Sequence, residues 1–282
     1  MNIKRDVPLA KLTTFQNVGV AREVITFEDL PELVAFLAQE RPFFMLGKGS
    51  NTLINPSSET SRFVRLSPKM FASSVDNLFC RIGAGTSVNS LMKLSSEHGM
   101  SGFEFMAGVP ASVGGMVYMN FGCWGQTISQ LIRRVRVLKL SGEDEWMLPE
   151  ALAFGYRKSE FCNQPWIILE VELNFRQSTC TLVRQAISKN IETRLAKQPL
   201  REKTFGSIFK NPEGEFAAKI LDDLGYRGAS GSHVKLSEKH ANFLVNSGDA
   251  SFSDAMEFLD KVKADVLLKT GKNLDMEVRV VK

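Results

Sequence analysis

Four glycine-rich clusters could bind phosphate. Glycine at close spacing lets backbone N–H groups approach an anion without side-chain obstruction. Gly47-Lys48-Gly49-Ser50-Asn51 offers such a cradle. It is not the G-x-G-x-x-G of dinucleotide folds, because Thr52 takes the sixth place, and it lacks the G-K-[ST] ending of a triphosphate loop. Gly83-Ala84-Gly85 leads into a predicted helix start, where orphan N–H groups and the helix dipole favour an anion. A third cluster runs from Ala107 through Gly108, Val109, Pro110, Ser112, Gly114 and Gly115, and a fourth from Asn120 to Gly125. Each alone is weak evidence, and a tight turn is its plainer reading. Four of them within about 80 residues are better explained by one long diphosphate cofactor than by four independent turns.

Three further side chains could do chemistry. Arg157, in Gly155-Tyr156-Arg157-Lys158-Ser159, could clamp a carboxylate or phosphate in a two-point fork; taken alone, a solvated basic loop is the better reading. Ser207 lies between Phe205 and Phe209 at strand spacing, which would set a hydroxyl between two rings, or be an ordinary edge-strand serine. Glu277 alternates with apolar residues near the C-terminus, where a surface carboxylate is the plain reading, and no spacing rule connects it with Ser207.

The elements that must position these residues follow from periodicity. Apolar spacing at Leu30, Leu33, Val34 and Leu37 predicts a helix over 27–40 with Pro31 in its first turn. Short strands are predicted at 43–46, 52–54 and 78–82, and Ser87 caps a helix that ends near Gly99. The stretch 107–125 has no clear period. Strands are predicted at 135–140 and 167–175, the second with a wet face carrying Glu170, Glu172 and Asn174. Helices follow at 182–195, at 215–224 with Gly225 as its stop, and after Ser253 as far as Gly271; a strand over 274–281 closes the chain. Helices and strands alternate without repeats, which predicts an α+β fold with mixed sheets and a boundary near 176–181.

Composition narrows the function classes. The 282 residues are too many for one small core. Apolar content of 44% and charged content of 23% are those of a soluble globular protein. A net charge of +4 without a run of basic residues suits small anions and argues against nucleic acid. Cys80, Cys123, Cys162 and Cys180 form no C-x-x-C pair, and with only His98, His233 and His240 available no metal cage is expected. No apolar stretch reaches the ~20 residues of a membrane helix, and the N-terminus carries no secretory pattern, so a cytoplasmic location is expected.

The chain resembles the UDP-N-acetylenolpyruvoylglucosamine reductase family over nearly its whole length. The likeness rests on Gly47-Lys48-Gly49-Ser50-Asn51, Gly83-Ala84-Gly85, the run from Gly102 to Pro110, Ser112-Val113-Gly114-Gly115 and Tyr118-Met119-Asn120. Further on it rests on Phe154 to Ser159, Gly206 to Pro212, Ser237-Glu238-Lys239-His240-Ala241-Asn242-Phe243 and Glu277-Val278-Arg279. The resemblance implies a vanillyl-alcohol-oxidase-type FAD fold of two α+β lobes, at 1–65 and 66–180, with an α+β substrate domain at 181–282. It implies non-covalent FAD, NADPH as reductant, and UDP-N-acetylglucosamine enolpyruvate as a small-molecule substrate, with no obligate protein partner. Arg157 then faces the substrate carboxylate, Ser207 gives the proton and Glu277 assists. Tyr156, Lys210, Asn211, His240 and Asn242 are expected at the UDP-sugar. The four glycine clusters, including Lys48, Ser50, Asn51, Val109, Pro110, Ser112 and Asn120, are expected at the flavin nucleotide.

Two departures stand out. The family's Gly-Gly-Pro-Ala step is Val18-Gly19-Val20-Ala21 here, and no long insertion lies between Trp166 and Thr204, as in the family's shorter type. Other readings are a flavoenzyme of the same fold acting on another substrate, and a nucleotide-sugar binding protein without redox activity.

Overall fold

Capping residues set most helix ends. The computed structural model describes residues 1–58 and 62–282. Helix α1 spans Leu30–Leu37, starting where the Asp29 carboxylate accepts the Glu32 N–H. It is shorter than its periodicity predicts, because the strand Val20–Phe27 runs up to the fully buried Phe27. Helix α2 spans Val88–His98 between the Ser87 cap and Gly99, as predicted. The stretch without a clear period contains α3, Val113–Tyr118, capped by Ser112.

Chain contacts divide the protein into two units. The first comprises Met1–Lys4, Val24–Lys48 and Arg62–Glu192; the second comprises Arg5–Glu23, Gly49–Ser61 and Thr193–Lys282. The first unit is built on a five-stranded antiparallel sheet in the order Asp144–Met147, Ile132–Leu138, Ile167–Asn174, Phe79–Gly83, Ser74–Asp76. Ile82, Val135, Val171 and Leu173 from this sheet pack with Val88 and Leu91 of α2 and Val113 and Val117 of α3. A separate cluster gathers Phe27, Leu33, Phe36, Val64, Leu138 and Leu169. There the strands Arg62–Leu66 and Phe44–Met45 pair in parallel.

The strand Ile167–Asn174 corrects the expectation of a wet face. Seven of its eight residues are buried, Glu170 and Glu172 among them. Register supplies the cover: Arg134 and Arg81 stand opposite Glu172, and Arg136 stands opposite Glu170. Glu172 is fully buried and takes the Arg134 Nε at 2.7 Å and the Arg81 terminal nitrogen at 2.8 Å. Arg134 foremost, with Arg81, holds its carboxyl below the usual carboxylate range against the opposing effect of burial. Alternation identified the polar face, but not the cross-strand arginines that cover it.

Helix α4, Cys180–Lys197, carries the chain into the second unit. That unit has a three-stranded antiparallel sheet in the order Thr204–Ser207, Phe243–Asn246, Val234–Leu236. Helix α5 is Ala217–Asp223, and α6 is Phe252–Thr270. The cap of α6 is Ser251 rather than Ser253: its hydroxyl accepts the Asp254 N–H, and the Asp254 carboxylate accepts the Ser251 N–H in return. Phe15, Leu53, Phe205, Phe209, Leu221, Leu259 and Val266 share the core of this unit. The predicted closing strand is present only as Arg279–Val281, parallel to Thr52–Ile54. Residues 274–278 keep the alternation but pair with a different neighbour, described below.

Candidate functional site

In the first unit, two glycine clusters pack on each other. The Val113 N–H donates to the Thr86 carbonyl and the Gly114 N–H to the Ala84 carbonyl, each at 2.9 Å. A side chain at Gly85 would stand 2.4 Å from the Leu66 carbonyl oxygen, so close backbone approach dictates glycine there. Two of the orphan N–H groups expected after Gly85 are taken. Val88 donates to the Ala111 carbonyl, and Ser90 to the Ser87 hydroxyl. The first turn of α3 is likewise satisfied, with the Gly115 N–H on the Ser112 hydroxyl. The cluster Gly47 to Asn51 differs: among the described residues, none of its backbone N–H groups donates a hydrogen bond. Those unused donors, with the Lys48 cation among them, fit the diphosphate of a dinucleotide such as FAD.

Arg157 sits at the third place of a four-residue turn. The Gly155 N–H donates to the Lys158 carbonyl at 2.9 Å, the Lys158 N–H returns to Gly155 at 3.2 Å, and Arg157 adopts φ 51°. That left-handed conformation is uncommon for a long side chain. Its guanidinium carbon lies 5.2 Å from the Tyr156 ring centroid and 5.8 Å from that of Phe121. Phe121 in turn stacks on Phe105 at 6.1 Å. Tyr156 is exposed. Asn120, expected at the flavin, is 5% exposed and engaged with the chain: its amide donates to the Gly155 carbonyl at 2.9 Å and accepts the Ser129 N–H at 3.2 Å.

In the second unit the fold brings Ser207 and Glu277 together across seventy residues of chain. The Glu277 N–H donates to the Ile208 carbonyl at 2.7 Å, Phe209 bridges Met276, and the Lys210 N–H donates to the Asp275 carbonyl at 2.8 Å. Asn51 secures the same place, its amide donating to the Glu277 carbonyl at 3.1 Å while its own carbonyl accepts the Arg279 N–H.

The expected setting of Ser207 between two rings is corrected. Thr204 pairs with Val245 and Ser207 with Phe243, so three steps on one strand face two on the other. Gly206 takes up the extra residue at φ 83°, a G1-like bulge that breaks the alternation. Phe205 stays in the core, 4.8 Å from Phe15, while Ser207 is half-buried. Among the described residues the Ser207 hydroxyl has no hydrogen-bond partner.

The expected substrate residues of this unit divide by what holds them. Asn242 is 3% exposed, and both ends of its amide are bonded to the Phe209 backbone, at 2.8 and 3.0 Å. Its backbone carbonyl also accepts the Ile208 N–H. It clamps the strand that carries Ser207, and its amide is not open to a ligand. The Asn211 oxygen accepts the Ala217 N–H at 3.0 Å and so caps α5. His240 is half-buried, edge-on to Phe243 at 4.7 Å, and burial holds its imidazole below the usual pKa against the pull of Asp222. Lys210 is half-buried. Sequence reading missed the ties between segments: Thr14 bonds the Thr204 carbonyl at 2.6 Å, and Ser159 bonds the Tyr118 carbonyl at 2.6 Å. No local pattern marks either. Among the described residues, no helix is long and apolar enough to cross a membrane.

Comparisons with known proteins agree on one family. A model described as the C-terminal domain of UDP-N-acetylenolpyruvoylglucosamine reductase matches residues 198–281, and one for an FAD binding domain matches residues 22–146. The UDP-N-acetylenolpyruvoylglucosamine reductase of Chlamydia felis is 34% identical over 286 residues, covering 99% of this chain and 95% of that protein. UDP-N-acetylenolpyruvoylglucosamine reductase 2 of Symbiobacterium thermophilum is 30% identical, covering 99% of this chain and 92% of that protein. The crystal structure of UDP-N-acetylenolpyruvylglucosamine reductase from Thermus caldophilus superposes with a TM-score of 0.87 at 31% identity, over 100% of both chains.

Proposed function

Because the chain belongs to the UDP-N-acetylenolpyruvoylglucosamine reductase family, we propose how its own residues divide the work of that reduction. The enzyme converts UDP-N-acetylglucosamine enolpyruvate to UDP-N-acetylmuramate at the expense of NADPH, a step of peptidoglycan precursor synthesis. Bound FAD would supply the hydride chemistry that links NADPH to the enolpyruvyl methylene carbon. The unused N–H groups of Gly47 to Asn51 would hold the diphosphate of the cofactor.

Hydride addition at the methylene carbon places negative charge on the neighbouring carbon and, by conjugation, on the carboxylate oxygens. The Arg157 guanidinium meets that carboxylate, and its two-point fork is most effective when the charge is greatest, in the transition state. Ser207 then gives its hydroxyl proton to the carbon beside the carboxylate, which sets one stereocentre and completes the lactyl ether. Glu277 assists that transfer. Tyr156, Lys210 and His240 serve the UDP-sugar, whereas Asn211 and Asn242 serve it through the backbone they hold. The chain is read as flavin lobes at 1–65 and 66–180 and a substrate domain at 181–282, the last of which draws Phe15 and Leu53 into its core. The chemistry belongs in the cytoplasm, with small molecules as its partners.

The observation that supports this reading most is the pairing of the Glu277 and Ile208 backbones, which sets a carboxylate residue beside the serine strand at the end of the chain. NADPH oxidation by the FAD-loaded protein, with and without the enolpyruvyl sugar, tests it. Consumption should depend on that substrate. Equal consumption in its absence would overturn the assignment.

A further inference from the structure

We infer that Asn120 is a positioning residue for Arg157, setting the guanidinium through the turn that carries it; this rests on the proposed role of Arg157. The backbone of Arg157 needs support from its surroundings. It occupies a left-handed place in a four-residue turn, φ 51°, where a long side chain is disfavoured. Such a conformation persists only when its surroundings over-determine it. Asn120 supplies that determination from inside the fold. It is 5% exposed, and its amide donates at 2.9 Å to the carbonyl of Gly155, the residue that opens and closes the turn with Lys158. Its oxygen accepts the Ser129 N–H at 3.2 Å, so the amide is held at both ends.

Asn120 is itself left-handed, φ 41°, a conformation that asparagine tolerates better than most residues. The next residue, Phe121, is one of the two rings beneath the Arg157 guanidinium. One residue therefore fixes both the backbone of the arginine turn and the chain that brings the ring beneath it. A second tie stands on the other side. Ser159 is fully buried and its hydroxyl donates to the Tyr118 carbonyl at 2.6 Å. The arginine turn is thus pinned before and after by the segment 118–120, at the C-terminal end of α3.

The chemistry predicts which substitution matters. Asn120→Asp keeps the size, the acceptor for the Ser129 N–H and much of the left-handed tolerance, but replaces the donor to Gly155 with an oxygen. The turn then loses its pin, and a guanidinium displaced by about 1 Å costs on the order of 10²-fold in rate at the upper end. A carboxylate clamp is needed when substrate takes hydride, and not when NADPH gives it.

The FAD-loaded enzyme and its N120D, R157A and N120D/R157A variants are compared by rapid mixing, with flavin content and melting temperature measured for each. N120D should bleach with NADPH as the parent does and reoxidise with the enolpyruvyl sugar about 10-fold or more slower. The double variant should be no slower than R157A, because Asn120 acts only through the arginine. Parental reoxidation in N120D, or losses that multiply in the double variant, would overturn the inference. A defect of N120D confined to flavin content or melting temperature, with normal rates per flavin, would also overturn it. Parental rates in R157A would instead remove Arg157 itself from the mechanism, and with it this role. If N120D does not fold, S159A carries the same test through the other tie, with the same two outcomes.

Discussion

Replacing Asn242 with alanine should loosen the strand that carries Ser207. Its amide holds both the N–H and the carbonyl of Phe209, and Phe209 is 1% exposed, so neither group meets water once the amide is gone. An unsatisfied buried donor or acceptor costs about 1–3 kcal/mol, so the pair costs about 2–6 kcal/mol, the low end applying if water fills the space. At about 2–4 °C per kcal/mol for a chain of this size, the melting temperature falls by roughly 4–24 °C. Asn242→Asp should be no better, since it sets a second oxygen against the Phe209 carbonyl. Thermal unfolding of the FAD-loaded protein and steady-state kinetics separate a clamp from a ligand contact. A clamp lowers stability and kcat and leaves the KM for the UDP-sugar near its parental value. An unchanged melting temperature with a raised KM would refute the reasoning and return Asn242 to the substrate.

Other outcomes follow from single contacts. Glu172→Gln should cost about 1–2 kcal/mol at pH 7, less than a fully buried pair because Arg81 and Arg134 are 39% and 37% exposed. The folded-state pKa of Glu172 is lowered, so its stabilisation is complete above the unfolded carboxylate value of about 4.3 and is lost as pH falls through the folded value. Melts of parent and variant should therefore converge in acid; a gap that widens there would contradict the ion pair. Arg157→Lys keeps the charge but not the fork, and kcat should fall by roughly 10²-fold at normal flavin content; near-normal turnover would make Arg157 a surface residue. Acid precipitation should release the flavin, since the cysteine nearest a glycine loop, Cys123, is half-buried against the Phe105 carbonyl at 3.2 Å; yellow colour kept in the pellet would show a covalent bond.

Local signals placed much of this fold. Ser87 and Gly99 mark both ends of α2, and Pro31 the first turn of α1, because caps and breakers act within a few residues. What escaped depends on partners far along the chain. The carboxylates of Ile167–Asn174 alternate like a wet face, and only the register of two neighbouring strands shows the arginines that cover them. The Ser207 bulge was half legible. Gly206 flags a special backbone position, but the count of three steps against two needs the partner strand. Glu277 and Ser207 meet only through pairing of the chain terminus, which no spacing rule anticipates. Asn242 was legible as a candidate only through family likeness, Asn120 also as the start of a glycine cluster, and their bonds give them backbone to hold.

The most direct measurement is the reoxidation of Ser207→Ala. The FAD-loaded variant is first reduced with NADPH, then mixed rapidly with UDP-N-acetylglucosamine enolpyruvate while the flavin band is followed. Hydride transfer from NADPH needs no proton from Ser207, so bleaching should match the parent enzyme. Reoxidation should slow by at least roughly 10²-fold, the lower scale for loss of a placed acid. Parental reoxidation, or a defect confined to the NADPH half, would contradict the assignment of Ser207 as the proton donor.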